Sequence, residues 1–237
     1  MLNVKDVGIA FGGLKALEKV NVYVEQGSIC SLIGPNGAGK TTLFNVITGV
    51  LRTYTGTVEF MGREITRLRP YQICRAGIAK TYQLKNNFPN LTVFENIKSG
   101  FLKDNLSHKE RITKTFEILE MMDLRDMADA LASNLPPLDS KRMDLGRTLA
   151  TGPKLILLDE LIGGLLPSET DLISDYVLML RDMGYTIFQI GHEMRPIMKT
   201  SDRIFVLDQG CPIAEGSPEE IRTNPAVLAC YLETEED

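Results

Sequence analysis

The chain has 237 residues, 43% of them apolar and 24% charged, and a formal net charge of −5. That length suits one large domain, or a domain carrying an inserted subdomain, with a real core. The acidic balance argues against a global basic field for nucleic acid, and no apolar run approaches the roughly 18 residues of a membrane span.

In chain order, strand-like segments are predicted near Leu2 to Val7 and Val20 to Val24, followed by a turn at Gln26-Gly27. Ser28 to Ile33 is a compact apolar strand. A glycine-rich turn follows, then a helix from about Thr41 to Ile47 ended by Gly49. Thr57 to Phe60, between Gly56 and Gly62, reads as a further strand. From about Asn86 to Leu135 strand signals are few. Ile112, Phe116, Leu119 and Met122 fall on one face of a helix predicted over Lys109 to Met122. The α/β pattern then returns with an apolar run, Leu155 to Leu158, of the kind covered on both faces. Ser168-Glu169-Thr170-Asp171 reads as a capping box, with Leu172, Tyr176, Leu180 and Met183 as the helix stripe and Gly184 as its end. Thr186 to Ile190 and Ile204 to Leu207 are strands, and Ser217-Pro218-Glu219-Glu220 opens a helix. Cys30, Cys74, Cys211 and Cys230 form no CxxC pair, which suits a reducing cytosol better than zinc or redox chemistry. The N-terminus lacks the charge and apolar pattern of a signal peptide, so any membrane link is expected to run through a partner.

Gly34-Pro35-Asn36-Gly37-Ala38-Gly39-Lys40-Thr41 fits GxxxxGK[ST] between a predicted strand and a predicted helix. A nucleoside triphosphate needs many donors close to its oxygens. Glycines let the backbone turn and approach without a Cβ, and successive N–H groups then form an anion nest at a helix N-terminus. Lys40 supplies a cation for the β- and γ-phosphates of ATP, and Thr41 a hydroxyl for Mg²⁺. Thr42 completes the set. The apolar run Leu155 to Leu158 ends in Asp159-Glu160. Alternation sends these two side chains in different directions, so Asp159 can assist the metal while Glu160 faces the attacking water.

Over essentially its whole length the chain resembles the ABC ATPases. The resemblance implies an α/β fold: a P-loop NTPase core of the ABC ATPase type, an N-terminal antiparallel β subdomain and an inserted helical subdomain. On this reading residues 1–85 and 146–237 form the core with the β subdomain, and 86–145 the helical, signature-bearing part. The resemblance implies that Phe11, in Phe11-Gly12-Gly13, stacks on adenine. Gln83, in Ala79-Lys80-Thr81-Tyr82-Gln83, touches Mg²⁺ or water and senses the membrane subunit. His192, in Ile190-Gly191-His192-Glu193-Met194, contacts the γ-phosphate. The finer resemblance is to the ATPases of branched-chain amino-acid importers, through Ser31 to Asn45, Gly77 to Gln83 and Glu215 to Ile221. It implies two transmembrane permease subunits, a second ATPase subunit or a second copy of this chain, indirectly a substrate-binding protein, and a peripheral place on the inner face of the cell membrane.

The chain departs from the family pattern at the surface offered to a partner. Leu135-Pro136-Pro137-Leu138-Asp139 stands where the signature Leu-Ser-Gly-Gly-Gln is expected, with Lys141 to Ala150 matching the helix that follows it. Pro136 replaces a hydroxyl donor and Leu138 a glycine. Leu161 stands in place of a proline after the catalytic acid, and Leu166 in place of Asp or Asn. Two other readings stay open: a non-transport ATP-dependent switch, and a regulatory nucleotide-binding subunit with weak hydrolysis.

Overall fold

The computed structural model describes residues 1–81, 87–101 and 106–232. Two sheets organise these residues. The first is antiparallel, in the order β2 (Leu14–Val24), β1 (Leu2–Phe11), β4 (Thr55–Phe60), β5 (Arg63–Glu64). The two N-terminal strands are longer than the sequence signals suggest, because their outer ends pair with each other in a hairpin as far as Phe11 and Leu14. The second sheet has the order β10 (Cys211–Gly216), β9 (Arg203–Asp208), β3 (Ile29–Ile33), β8 (Thr186–Ile190), β7 (Leu155–Asp159), β6 (Ile78–Lys80). It is parallel except for β10, which returns antiparallel to β9.

Helix α1 (Lys40–Ile47) lies between the sheets. Its Leu43, Phe44 and Ile47 pack in one core with Leu2, Val20 and Phe60 from the antiparallel sheet and Leu157, Phe188 and Phe205 from the parallel one. Strand β7 shows why an unbroken apolar run is needed there. Leu155 and Leu157 face this core, while Ile156 and Leu158 face a second core made by helices. A strand buried on both faces favours apolar residues at successive positions, where an alternating strand would not.

The second core joins α3 (Val93–Lys98), α4 (His108–Met121), α5 (Pro137–Ala150) and α6 (Pro167–Asp182). Capping boxes start α3 and α4: in α4 the Glu110 N–H donates to Ser107 Oγ at 3.2 Å, and the Ser107 N–H to Glu110 Oε2 at 2.7 Å. The anticipated α4 face holds, with Leu119 and Met122 buried, Ile112 and Phe116 half-buried, and Thr115 and Ile118 added to it.

Helix α6 corrects the sequence reading. It begins at Pro167, so Ser168 lies inside the first turn and does not cap it. Half of a capping box remains, the Leu166 N–H donating to Glu169 Oε2 at 2.8 Å, since a leucine side chain has no acceptor to return. The buried face is Thr170, Ile173, Ser174, Val177 and Leu180, while Leu172 and Met183 are exposed. Two small hydroxyl residues on the packed side hid the true stripe from a hydrophobicity pattern; the Ser174 hydroxyl is satisfied by the Thr170 carbonyl at 2.8 Å. The remaining helices are α2 (Pro70–Ala76), α7 (Met194–Thr200), α8 (Pro218–Arg222) and α9 (Pro225–Leu232). The last three form a third cluster against Ile33, at the end of β3. Among the described residues no helix is long and apolar enough to cross a membrane.

Candidate nucleotide site

The site forms where three adjacent parallel strands end. Strand β8 lies between β3 and β7, with Ile190 in register with both Leu32 and Asp159. Thus the glycine-rich loop after β3, His192 after β8 and the acids at the end of β7 share one sheet edge. Ligands of open α/β sheets bind at such carboxyl ends.

Residues Gly34, Pro35, Asn36, Gly37, Ala38 and Gly39 connect β3 to α1. Gly34 has φ 148°, and a Cβ there would lie 2.0 Å from the Leu207 carbonyl oxygen. Gly39 has φ 100°, and a Cβ would lie 2.6 Å from the Ala16 carbonyl oxygen. The conformations favour glycine, and the close neighbours are the protein's own backbone. At these two positions glycine is therefore required by the fold itself, before any ligand is considered. Gly39 is also the N-cap of α1 and offers no side-chain acceptor, and the first turn of α1 contains no acid. Its N–H groups and positive dipole end are thus left for an anion.

Lys40 is the first residue of α1 and is 6% exposed. Its ammonium donates to the carbonyls of Gly34 at 2.7 Å and Pro35 at 2.8 Å. Burial pushes its pKa below the ordinary lysine value, while the charges of Glu160 and Asp159 oppose that shift. Thr41 is exposed and Thr42 half-buried at the start of the same helix.

Asp159 is the last residue of β7 and is 4% exposed; its N–H donates to Thr81 Oγ1 at 3.2 Å. Its Oδ2 pairs with Lys80 Nζ at 2.8 Å, and its Oδ1 is buried without a hydrogen-bond partner among the described residues. An orphaned carboxylate oxygen beside the phosphate loop fits a hard cation. Among the described residues no group of three or more His, Cys, Asp or Glu could enclose a metal alone. That donor set suits Mg²⁺, which keeps waters and takes one or two protein ligands together with substrate phosphates. Asp159 and Thr41 would hold it, and when bound it would neutralise charge on the phosphate oxygens.

Glu160 leaves the strand. Its φ of 47° is left-handed, a conformation that costs a non-glycine residue on the order of 1–3 kcal/mol. Its N–H donates to the Ile190 carbonyl at 3.1 Å, which ties this turn to β8. The backbone turn, added to strand alternation, is what separates the directions of Asp159 and Glu160. His192 Nδ1 lies 3.7 Å from Glu160 Oε1, and its side chain is half exposed. The two line a cleft with Leu161, Gly163 and Gly191. A carboxylate and an imidazole at this spacing can share a water and hold it for in-line attack, with Glu160 taking its proton. Phe11, at the end of β1, is 49% exposed, so its ring face is available for stacking. Gln83 lies outside the described residues.

The sequence reading passed over two lysines. Lys80 is one, paired to Asp159 as above. Lys141 is the other: burial lowers its pKa, with the charges of Asp144 and Glu160 acting against that. Neither belongs to a local pattern that names its partner; strand adjacency and helix packing bring the partners in.

Helix α5 starts at Pro137, with Pro136 as an N-cap that offers no side-chain acceptor. Leu138 is half-buried and packs against the helical core, and Asp139 pairs with Arg142 at 3.3 Å. Leu166 is 66% exposed at the start of α6.

Known proteins resemble this chain in sequence and fold. The family described as ABC transporter matches residues 17–163, and a branched-chain amino acid ATP-binding cassette transporter family matches residues 211–232. The chain is 38% identical to the high-affinity branched-chain amino acid transport ATP-binding protein LivG of Salmonella typhimurium, over 98% of this chain and 97% of that protein. It is 36% identical, over the same shares, to the corresponding protein BraF of Pseudomonas aeruginosa. Among solved structures it superposes on a nucleotide-free ATP-binding cassette from an ABC transporter with a TM-score of 0.89 at 33% identity, covering 98% of each chain. An ATP-binding cassette of an ABC transporter in its ADP conformation gives 0.90 at 32%, again over 98% of each. At 38% identity over nearly its whole length, and with the same fold, the chain belongs to the ATP-binding subunits of ABC transporters.

Proposed function

We propose that this chain binds Mg-ATP through Phe11 and residues 34–42 and hydrolyses it with Glu160 and His192, powering import of branched-chain or related amino acids. The observation that carries this reading is the convergence of Lys40, Asp159, Glu160 and His192 at the ends of neighbouring strands. The amino-acid cargo is supported by the printed functions of LivG and BraF. In this proposal residues 1–85 and 146–237 act as the ATP-binding body and 86–145 as the helical part that faces a second ATPase. Two transmembrane permease subunits hold the chain to the inner face of the membrane, and a substrate-binding protein delivers the cargo. ATP closes the pair of ATPases and hydrolysis reopens it, a population shift driven by contacts that only the closed state makes.

The partner is a different ATPase subunit with an intact signature. This chain presents a half-buried Leu138 and a prolyl N-cap where a partner's nucleotide needs an N–H and a hydroxyl. The test is ATP turnover and uptake of labelled leucine by vesicles holding both permease subunits, this chain and its co-encoded ATPase, with the binding protein added. ATP-dependent uptake is the expected result. ATP turnover without any coupling to the permeases would instead support the non-transport switch.

A further inference from the structure

Lys80 is a buried cation that the phosphate loop does not account for. It ends β6, opposite Leu157 in the parallel register with β7, two residues short of Asp159. Its ammonium meets Asp159 Oδ2 at 2.8 Å, with both side chains at most 7% exposed. It also donates to Asn45 Oδ1 at 3.3 Å and lies 5.8 Å from the centre of the Phe44 ring. Asn45 and Phe44 belong to α1, the helix that begins at Lys40. Lys80 therefore ties the strand-end carboxylate to the helix that carries the phosphate loop. Asp159 Oδ1 stays buried without a hydrogen-bond partner among the described residues. One oxygen of the carboxylate is held by a fixed internal cation, and the other remains for a mobile one.

We infer that Lys80 is a positioning residue for the metal, holding Asp159 through Oδ2 so that Oδ1 is presented to the nucleotide-bound Mg²⁺. This rests on the proposed role of Asp159 toward Mg²⁺. The physical need is plain. A carboxylate buried to this degree is costly without a partner, and removing one member of a buried pair leaves an uncompensated charge. The carboxylate would then turn toward other donors, which removes it from the metal. Groups that orient metal ligands typically contribute 10–100-fold in metal affinity. Lysine suits the place because its head is a compact charge on a flexible stem, able to reach Asp159 and Asn45 together.

The test is calorimetry of the full chain with a non-hydrolysable β,γ-imido ATP analogue, first in EDTA and then across a Mg²⁺ series. For K80M the Mg²⁺ concentration giving half of the tightening is expected to rise about tenfold. Affinity in EDTA should change less than about twofold, and K80R should recover most of the loss. An unchanged Mg²⁺ dependence in K80M overturns the inference. So does equal loss with and without Mg²⁺, which marks a merely structural residue. Tighter Mg²⁺ binding, the result if Lys80 only repels the metal, overturns it as well. If K80M does not fold, K80Q takes its place with the same expectations, and failure of both to fold makes Lys80 a stability residue and ends the proposal. Absence of any Mg²⁺ effect in the wild-type chain, or in its comparison with D159N, would instead sink the metal role of Asp159.

Discussion

Two surfaces of this molecule have fared differently. At the sheet edge, groups proposed for this chain's own nucleotide come together: the glycine turns at Gly34 and Gly39, Lys40, Asp159, and Glu160 within 3.7 Å of His192. At the start of α5 and α6 lie Pro136, Leu138 and Leu166, where the family resemblance expects groups that serve a partner's nucleotide. The two surfaces are supported by different parts of the fold. The phosphate loop is locked by Leu207 and Ala16 of its own chain. The start of α5 tolerates leucine because the side chain finds apolar cover in the helical core. A subunit can thus keep its own chemistry while losing what it offers across an interface, provided that its partner compensates.

The sharpest way to break that comparison is Glu160→Gln. The amide keeps the size of the side chain but cannot accept the water's proton, and a general base typically contributes 10²–10⁴-fold. ATP turnover of the assembled transporter should fall by about that factor while ATP binding is retained. A normal rate would make His192 the first candidate for the base. Lys40→Ala comes next. Loss of a charged donor to phosphate is worth about 1.5–3 kcal/mol, so calorimetry should show ATP affinity lower by about 10- to 100-fold. Unchanged affinity would remove the phosphate-loop reading.

Leu138→Gly tests the other surface. With the co-encoded ATPase and the permeases present, it should raise turnover at the site on the partner's phosphate loop, by up to about tenfold, because one N–H can again approach the γ-phosphate. Turnover should be followed with the partner's site made the only active one, by Glu160→Gln in this chain. No gain would mean that Leu138 is not the obstacle. Full activity from this chain and the permeases alone would sink the asymmetric pair altogether.

The smallest expected effect concerns the support behind the intact surface. Tyr231 packs in the cluster that backs Ile33, and burial pushes its phenol up to about 12. Its unfolded value is about 10. A raised folded pKa adds stability below pH about 10 that is lost as pH rises toward 12. Tyr231→Phe removes this loss, so the gap between wild-type and variant melting temperatures should shift by roughly 5 °C or more in the variant's favour across that window. A constant gap would show that the phenol is not titrating where its burial places it.

Much of the site was legible because its parts are local. Eight consecutive residues carry the phosphate loop, and two consecutive acids end an apolar run. Backbone turns and strand ends are short-range events, so the residue types that they demand appear side by side. The α6 stripe was misread for a related reason: Ser174 satisfies its hydroxyl on the Thr170 carbonyl, and both residues count as core, which hydrophobicity alone cannot show.

What the sequence determined by itself was the chemistry within single segments: glycines for positive φ, a lysine and hydroxyl at a helix start, and paired acids where a buried strand meets solvent. Tertiary structure decided everything that depends on strand order. The order β3, β8, β7, β6 across the sheet places His192 beside Glu160, though 31 residues lie between them, and sets Lys80 of β6 against Asp159 of β7. It also decided how Glu160 is aimed, through a left-handed turn that Ile190 holds from the neighbouring strand. The physical reason is that hydrogen-bonded strand pairing and burial act between distant segments, and a buried charge reveals its partner only when the chain has closed around both.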